Sequence, residues 1–310
     1  MRIFRDINKV ELLDTKQGIA IGTFDGLHLG HVEILKKLIK YCNENGLESL
    51  VYTFSNHPRA ISSVNTTPKR LISLEHKIEV IESLGVDNLV LVEFDHAHRA
   101  IEPDVFIEDF LVGKLNAQWI IVGEDFRFGK NASGNVSYLK EHAENRSFEV
   151  EIVKHIKHGE SKISSTNIRK LLFDGEVAKA NLLMGRRFSI SGNVIPGRQV
   201  GRKLGFPTAN IKNCPEMTLI KSGVYLTEII CEGETYLSVT NVGDNPTFEG
   251  REYSVETHII DFDKDIYGKY AVVQFIERIR DEIKFESVDK LILAIGADVE
   301  KAKKIYESQY

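Results

Sequence analysis

The sequence predicts two domains of different class: a parallel α/β domain, followed by a small antiparallel β-barrel that ends in a helix. The chain has 310 residues, about twice the length of an ordinary domain. Strand and helix signals alternate through the first half, which is typical of a parallel sheet covered by helices on both faces. Near residue 185 this alternation gives way to β-branched and aromatic runs bounded by turn residues, and such runs favour a barrel.

The first half supplies the strands and helices of the α/β domain. Apolar runs predict strands over residues 18–24, 50–54, 88–94, 119–122 and 148–153. Helical spacing of apolar residues predicts helices over 31–45, 74–84, 103–111, 166–173 and 176–183. We expect Ser73 to cap one of these helices, and Gly46 and Gly185 to end two others.

The second half supplies the barrel. Strands are predicted over residues 187–195, 224–231, 236–242, 255–261 and 271–279, and a final helix over 288–306. Glu232 and Gly233 fit a tight hairpin turn between two of these strands. We expect the boundary to fall between residues 183 and 187, which gives domains of residues 1–184 and 185–310.

Composition restricts the class of protein. The net charge of −5 and the pI of about 6.1 argue against a nucleic-acid partner bound through a broad basic face. The three cysteines, Cys42, Cys214 and Cys231, show no paired spacing, so free thiols in a reducing cytoplasm are expected. Residues 1–10 lack the apolar core of a signal peptide, and no run approaches the roughly 18 apolar residues of a membrane helix. Neither secretion nor a membrane partner is therefore expected.

The first candidate site joins the first strand to the first helix. Gly22, Gly26 and Gly30 let the backbone approach a phosphate closely, and the start of a helix offers unpaired amides and a positive dipole end. His28 and His31 lie three residues apart, so both can face one ligand. The alternative is a glycine-rich turn with two surface histidines.

The His-x-Gly-His spacing resembles the nucleotidyltransferase superfamily, which includes the class I aminoacyl-tRNA synthetases. Those enzymes attack the α-phosphate of ATP and expel pyrophosphate. A second element agrees with the resemblance, because Ser164, Ser165 and Thr166 stand at the start of another helix with Arg169 in its first turn. A Ser/Thr helix cap is the alternative, and it would explain one hydroxyl but not three. A phosphate nucleophile is already anionic, so histidines, amides, Arg169 and Mg²⁺ would suffice to stabilise the transferred charge.

The second candidate site is a glycine-rich segment with interleaved cations over residues 197–210. It is neither a Walker A sequence nor a protein-kinase loop. Its glycines can wrap phosphates, and Thr208 and Asn210 offer oxygen ligands for Mg²⁺. The alternative is a basic surface loop.

If this segment binds the phosphates for transfer to a hydroxyl group, the site also benefits from a general base such as a carboxylate. A hydroxyl keeps its proton at neutral pH, so a base increases its reactivity. Glu256 lies in an apolar strand segment near Asn245 and Thr247. It is our candidate base. An outward-facing charge on a half-exposed strand is the alternative.

Across essentially its whole length the sequence resembles the bacterial bifunctional riboflavin kinase/FAD synthetase family. The segments that carry the resemblance are residues 22–31, 123–129, 163–169, 205–210, 241–247, 255–256 and 261–268. They form two independent sets of motifs in the family order. The resemblance implies a Rossmann-like FMN adenylyltransferase domain followed by a riboflavin kinase barrel, with ATP as co-substrate and riboflavin, FMN and FAD as substrates and products.

The resemblance also implies roles for individual residues in the first domain. His28 and His31 would bind the ATP phosphates and serve catalysis. The implied ATP contacts are Gly22, Phe24, Asp25, Gly26, His28, Gly30, His31, Ser164, Ser165, Thr166 and Arg169. The implied flavin contacts are Asn56, His57, Asp125, Phe126, Arg127 and Phe128. Phe126 and Phe128 could instead pack into the core.

In the second domain the resemblance implies that Glu256 deprotonates the ribityl 5′-hydroxyl, and that Thr208 and Asn210 hold Mg²⁺. The implied ATP contacts are Gly201, Lys203, Gly205, Pro207, Thr208 and Asn210. The implied flavin contacts are Asn245, Thr247, Glu256, Arg280 and Glu282. The sequence departs from relatives at Asp125, where some carry Asn, and over residues 53–58, where many read Phe-x-Pro-His-Pro.

Two rival interpretations remain open at this point. A nucleotidyltransferase that acts on a nicotinamide or pantetheine phosphate would explain the first half, but it would not need residues 207–210 or Glu256. A flavin-sensing regulator derived from the enzyme would bind flavin without turnover. The sequence does not define the oligomeric state, and a homo-oligomer is compatible with it.

Overall fold

A computed structural model describes residues 1–7, 10, 13–61, 68–144, 148–159, 161–197, 201, 204–212, 217–247 and 250–309. The chain divides by its contacts into two compact units, Met1–Ser165 and Thr166–Tyr310. Within the described ranges, no helix has both the length and the apolar composition needed to cross a membrane.

A six-stranded parallel sheet forms the centre of the first unit. Its strands are β1 (Arg2–Phe4), β2 (Gln17–Ile21), β3 (Glu48–Phe54), β4 (Asn88–Val92), β5 (Ala117–Gly123) and β8 (Glu149–Val153). Short two-stranded ribbons pair β6 (Arg127–Phe128) with β7 (Gly134–Asn135), and β9 (Lys157–His158) with β10 (Ser161–Lys162). The order in the sheet is β1-β4-β3-β2-β5-β8, which confirms the predicted parallel α/β class.

Helices cover both faces of this sheet, because alternate residues of each central strand are apolar on both sides. Ile19 and Ile21 belong to one buried cluster and Ala20 belongs to the other. The helices are α1 (Leu29–Asn45), α2 (Leu74–Ser83), α3 (His96–Arg99), α4 (Pro103–Val105), which continues as a π-helical segment (Phe106–Val112), and α5 (Val136–Glu144). Leu35 and Leu38 of α1 pack in one cluster, and Leu139 of α5 packs in the other.

The predicted helix ends are confirmed. The Ser73 side chain accepts a hydrogen bond from the backbone N–H of His76 at the start of α2. Gly46 ends α1 with φ of 66°, in the left-handed region that glycine adopts without a steric penalty. Gly185 does the same after α7 (Val177–Met184), with φ of 67°.

The second unit contains a closed antiparallel barrel, as predicted. Its strands are β11 (Phe188–Ile195), β12 (Thr208–Ile211), β13 (Gly223–Cys231), β14 (Glu234–Thr247), β15 (Gly250–Ile259) and β16 (Tyr270–Arg280). They close in the order β11-β12-β15-β14-β13-β16. Glu232 and Gly233 form the β13–β14 turn with φ of 53° and 83°, which fits the predicted tight hairpin.

The terminal helix α8 (Val288–Gln309) packs on the outside of the barrel. Ala302 is fully buried there against apolar side chains of β13, β14 and β16 that include Leu226, Val239 and Ile276. The barrel strands therefore bury side chains on both faces: one set fills the interior and the other lies under α8.

One strand of the barrel was not predicted. Residues 197–210 read as a phosphate-binding loop, yet the last part of that segment forms β12, which pairs with β11 and β15. A strand of four residues that follows Pro207 is too short to produce a period-2 signal. Consequently Thr208 and Asn210 stand on a rigid element, next to strands that fix their positions.

Two helices that precede the barrel in sequence belong to its unit by contact. From Thr166 onward α6 (Ser165–Asp174) is part of the second unit, and the Leu172 carbonyl accepts a hydrogen bond from the Lys221 backbone N–H. In α7, Asn181 accepts a hydrogen bond from Phe188 N at 2.7 Å and donates one to Phe275 O at 2.8 Å. The predicted division at residue 184 stays a prediction that fragments of the chain can test.

We expect a fragment of residues 166–310 to be more stable than one of residues 185–310. The shorter fragment lacks the buried Val177, Leu183 and Met184, and burial of each such side chain is worth about 1.5–3 kcal/mol. Denaturant unfolding of both fragments measures the difference in the free energy of unfolding. Equal stability of the two fragments would favour the boundary at residue 184.

In the full chain, Asn181→Ala should lower the free energy of unfolding by roughly 1–3 kcal/mol, because it removes the hydrogen bonds to Phe188 and Phe275. Lys179→Ala on the exposed face of α7 is the control.

Candidate functional site

The loop between β2 and α1 lies at the point where the sheet order reverses. The chain runs from β2 to β3 and β4 on one side, and places β5 and β8 on the other. In open α/β sheets, ligands bind in the crevice outside the carboxyl ends of the strands at such a point. The loops that follow β2 and β5 flank this crevice, and both carry predicted site residues.

His28 is the N-cap of α1. Its Nδ1 accepts a hydrogen bond from the His31 backbone N–H at 3.3 Å, and its backbone carbonyl accepts from the N–H groups of His31 and Val32. Because Nδ1 accepts, the neutral His28 ring carries its proton on Nε2. The two imidazole rings stack with centroids 3.7 Å apart. A methyl group at Gly30 would lie 3.2 Å from the His28 ring, so glycine there makes room for the stack.

The backbone that leads to His28 has an unusual conformation. Phe24, Gly26 and Leu27 have φ of 44°, 80° and 39°, and non-glycine residues rarely adopt such values. Phe24 and Leu27 are buried in the core, and the Phe24 ring meets the His31 ring edge-on at 5.3 Å. A methyl group at Gly22 would lie 3.3 Å from the Phe24 ring. Phe24 therefore packs against the His31 ring and helps to hold it in place. Its predicted contact with ATP stays a prediction.

Two side-chain hydrogen bonds hold this loop from outside. Asp25 Oδ1 accepts from the Leu71 backbone N–H at 3.0 Å, and the Ser165 hydroxyl donates to the Asp25 carbonyl at 2.8 Å. Ser165 opens α6, as the sequence predicted for this hydroxyl cluster. Ser164 precedes it, Thr166 follows in the first turn, and Arg169 lies about one turn further along the helix. The contacts of these three with a nucleotide stay predictions.

The segment after β3 is clamped to the segment after β4. The Asn56 side chain accepts a hydrogen bond from Phe94 N at 2.7 Å and donates one to Phe94 O at 2.9 Å. His57 Nδ1 accepts from Arg59 N at 3.1 Å. Asn56 thus fixes the loop, and His57 lines a small cavity that Thr23 and Asp25 also line. The structure therefore brings the β3 loop and the β2 loop together around one cavity.

The loop after β5 carries the remaining candidates of the first unit. Asp125 is exposed, and its carboxylate lies 3.5 Å from Nε2 of His155, which follows β8. Arg127 is exposed, whereas Phe128 is buried in the core and stacks with the half-buried Phe126 at 5.4 Å. Core packing accounts for Phe128, and the flavin contacts of these residues stay predictions.

In the barrel, three polar side chains lie side by side on neighbouring strands. Glu256 of β15 pairs directly with Asn210 of β12 on one side and with Asn241 of β14 on the other. Directly paired residues share a face of the sheet. Thr208 lies two residues before Asn210 and therefore on the same face. Because Val255 and Thr257 are buried, the half-buried Glu256 lies on the opposite, outer face of β15. The candidate residues Thr208, Asn210 and Glu256 therefore meet on the outer face of the barrel.

Glycines make close approach possible around Asn210 and Thr208. A methyl group at Gly197 would overlap the Asn210 amide, and one at Gly201 would overlap the Phe206 carbonyl. The Gly201 carbonyl accepts hydrogen bonds from the N–H groups of Leu204 and Phe206, which closes a turn, and Gly205 has φ of 85°. Pro207 follows, and its carbonyl accepts from His258 Nδ1 at 2.8 Å. Lys203 lies outside the described residues.

The donor set of this patch fits a magnesium ion. Thr208 and Asn210 supply neutral oxygens on one face of β12, and the Gly197 backbone packs closely against the Asn210 amide. Mg²⁺ usually takes only one or two protein ligands and completes its shell with phosphate oxygens and water. In the described part of the chain, no group of three or more His, Cys, Asp and Glu side chains could hold a metal ion.

The other predicted flavin contacts of the kinase have different neighbours from Glu256. Arg280 makes a two-point ion pair with Asp298 of α8, with Nε–Oδ1 at 2.9 Å and Nη2–Oδ2 at 2.7 Å. Its flavin contact stays a prediction. The Glu282 carboxylate approaches the Gly243 backbone, since a methyl group there would lie 2.9 Å from Oε1. Asn245 and Thr247 end β14, and their side chains lie outside the described part of the structure.

Two residues that adjoin these sites were missed in the sequence. Asn241 lay within a family motif, but only strand pairing shows that it neighbours Glu256. Lys77 lines the cavity of the first unit and is buried. Its spacing from Leu74, Ile78 and Ile81, which places a lysine on the apolar face of α2, was the available signal.

The fold and the two candidate sites define a two-unit, ATP-dependent transferase: an α/β unit with a histidine-capped helix at its crevice, and a barrel on which Thr208, Asn210 and Glu256 lie on adjacent strands. A FAD synthetase family model matches residues 11–167, and a riboflavin kinase family model matches residues 184–306. The chain therefore belongs to the bifunctional riboflavin kinase/FMN adenylyltransferase family.

Individual relatives agree with this assignment. The bifunctional riboflavin kinase/FMN adenylyltransferase of Buchnera aphidicola is 36% identical over 99% of this chain and 99% of its own length. The protein of the same description from Listeria monocytogenes is 36% identical over 97% of this chain and 93% of its length. A crystal structure described as a macrolide-efflux protein from Streptococcus pneumoniae has a TM-score of 0.87 and 29% identity, and covers 97% of this chain and 98% of that one.

Proposed function

We propose that the barrel unit phosphorylates riboflavin to FMN and that the α/β unit adenylylates FMN to FAD, with ATP consumed in both reactions. The observation that carries the proposal is that each unit has its own constellation: His28 and His31 at the crevice of the sheet, and Thr208, Asn210 and Glu256 on adjacent strands of the barrel. Incubation of the protein with riboflavin, ATP and Mg²⁺, followed by separation of the flavins, tests it. FMN and then FAD should accumulate, and the absence of both would refute the proposal.

In the barrel, the ribityl 5′-hydroxyl is the nucleophile. Glu256 takes the hydroxyl proton while the oxygen attacks the γ-phosphorus of ATP, and ADP leaves with the electrons of the broken bond. Thr208 and Asn210 would hold Mg²⁺, which would neutralise charge on the phosphates. The strand pairing supports this assignment, since it sets Asn210 directly beside Glu256.

In the α/β unit, an FMN phosphate oxygen attacks the α-phosphorus of ATP and pyrophosphate leaves. The nucleophile is already an anion, so no base is required. His28 and His31 stabilise the charge that develops on the phosphates, and the amides at the start of α1 add to this effect. The stacked pair at the N-terminus of α1 supports this assignment, because both rings are fixed before a ligand arrives.

We also propose that the protein works in the cytoplasm. The described cysteines, Cys42 and Cys231, are free thiols in the structure, and both are buried. Burial raises the pKa of the Cys42 thiol to about 11, so it stays protonated and unreactive at neutral pH. Such thiols fit a reducing compartment.

We expect Glu256→Gln to lower FMN formation at least tenfold, because general-base help is worth roughly 10²–10⁴ in rate. Glutamine keeps the size and hydrogen bonding of the side chain but cannot take the proton. FAD formation from supplied FMN should be unchanged, since that nucleophile needs no base. Glu234→Gln, on the exposed hairpin, is the matched control. Near-normal kinase turnover of Glu256→Gln would show that positioning and magnesium carry the step without a base.

We expect His28→Ala and His31→Ala to lower FAD formation by roughly 10²–10³, the usual loss for one charge-stabilising donor, while FMN formation persists. Because His28 also caps α1, His28→Asn is needed as a second variant: asparagine is a good N-cap but does not reproduce the imidazole. Rates of both reactions are measured on each variant. If His28→Asn makes FAD at the normal rate, His28 serves the helix alone.

A further inference from the structure

Lys77 is a buried cation in the wall of the first unit's cavity. It lies on α2, is 6% exposed, and occupies a position on the apolar face of that helix. Lysine is almost never buried in this way unless it has partners. Neighbouring groups must therefore offset the cost of burying the Lys77 side chain.

The Lys77 ammonium donates to three oxygens that belong to two different loops. The Thr23 carbonyl and the Thr53 hydroxyl oxygen each lie 2.7 Å from Nζ, and the Phe54 carbonyl lies 3.2 Å away. The Thr53 hydroxyl donates its own proton to the Thr23 carbonyl at 3.1 Å, so toward Lys77 it can only accept. Three acceptors need three N–H donors, which only the charged form of lysine supplies.

No carboxylate forms a direct ion pair with this ammonium among the described contacts. Burial lowers the pKa of Lys77 to about 7, the nearby Asp25 opposes that shift, and Arg70 adds to it. His57 is the remaining titratable side chain that lines the same cavity. Below about pH 7 the protein therefore holds a positive charge at a position where low dielectric makes it costly.

The three acceptors stand at the start of the loops that form the site. Thr23 opens the loop between β2 and α1 that ends in His28, whereas Thr53 and Phe54 end β3 just before Asn56 and His57. Thr23, Phe54 and Lys77 all line the same small cavity. A single side chain thus connects the segment with the predicted nucleotide contacts to the segment with the predicted flavin contacts.

We propose that Lys77 is a positioning residue for adenylyl transfer: its ammonium locks the β2 and β3 loops into the geometry that receives ATP and FMN, and the phosphate charge of those substrates in turn stabilises the buried cation. This inference rests on the proposed FAD-forming activity of the α/β unit. Its chemistry requires no covalent change at Lys77. The coupling is electrostatic and reciprocal, so binding of anionic substrates raises the affinity of Lys77 for its proton.

The test uses Lys77→Met, which keeps an unbranched side chain one atom shorter and removes the charge and the donors. We expect kcat/KM for FAD formation from FMN to fall at least tenfold, mainly through KM, while riboflavin phosphorylation by the same protein stays normal. Lys114→Met is the matched control, because Lys114 also donates to a backbone carbonyl in this unit, that of Ile7. Wild-type FAD formation in the same assay tests the proposed function separately.

Folding of the variant is monitored in the unit concerned. Trp119, the only tryptophan of the chain, is buried in the first unit and stacks on Tyr41 at 4.1 Å, so its fluorescence reports that unit alone. Should Lys77→Met fail to fold by this signal, Thr53→Val provides the second variant: it keeps the shape of the side chain and removes one acceptor. It should raise KM for FAD formation at least threefold and leave the kinase rate unchanged.

The pH dependence separates this role from a merely structural one. In the wild type, KM for ATP in FAD formation should rise as the pH increases above about 7, because free enzyme then loses the Lys77 proton. The value of kcat should change less, because bound phosphates hold the proton in place. In Lys77→Met the KM should be high and free of this rise. A folded Lys77→Met with wild-type KM, or with the wild-type pH profile, would overturn the proposal.

Discussion

The proposed FAD-forming site depends on one stretch of backbone that the chain adopts only under constraint. Between β2 and α1, Phe24 and Leu27 take positive φ values, and each such residue costs on the order of 1–2 kcal/mol. Burial of both side chains offsets this cost. Hydrogen bonds from Leu71, Ser165 and Lys77 to the same loop then select a single conformation. The stacked histidines follow from it, because the loop delivers His28 to the cap of α1 in an extended conformation.

In the barrel, a buried network of hydroxyl groups fixes the positions of the strands. Inside it, the hydroxyl groups of Thr227, Ser238, Thr240 and Thr257 form a connected and fully buried chain with oxygen separations of 2.7–3.0 Å. A slip of one residue in β14 or β15 would turn these hydroxyls outward and bring Asn241 and Glu256 into the core. Each buried hydroxyl left without a partner would cost about 1–3 kcal/mol. The interior network therefore fixes the register that aligns Asn210, Glu256 and Asn241 on the outer face.

Local signals in the sequence made most of the fold predictable. The contacts between residues within each site became visible only in the structure. Ser73, Gly46 and Gly185 act through contacts within a few residues, so their positions in the sequence were sufficient. The short strand β12 could not be predicted, because its pairing partners lie more than ten residues away and its length gives no periodicity. Lys77 was missed for a similar reason, as its three acceptors come from segments 23 to 54 residues distant. The candidate residues themselves were found because glycine-rich turns and clustered hydroxyls are unusual in sequence.

The closure of the barrel has a consequence for the time at which each unit can form during synthesis. The sheet of the first unit needs no residue beyond β8, which ends at Val153, whereas β11 must wait for β16 and pairs Phe188 with Phe275. Because domains generally fold as units from the N-terminus during synthesis, the α/β unit can be complete while half of the polypeptide is still untranslated. The nascent barrel, by contrast, has unpaired strand edges until nearly the last residues emerge, and pairing across such long separations is slow. A cell that interrupts translation just after α6 would therefore release a folded α/β unit without the riboflavin kinase barrel.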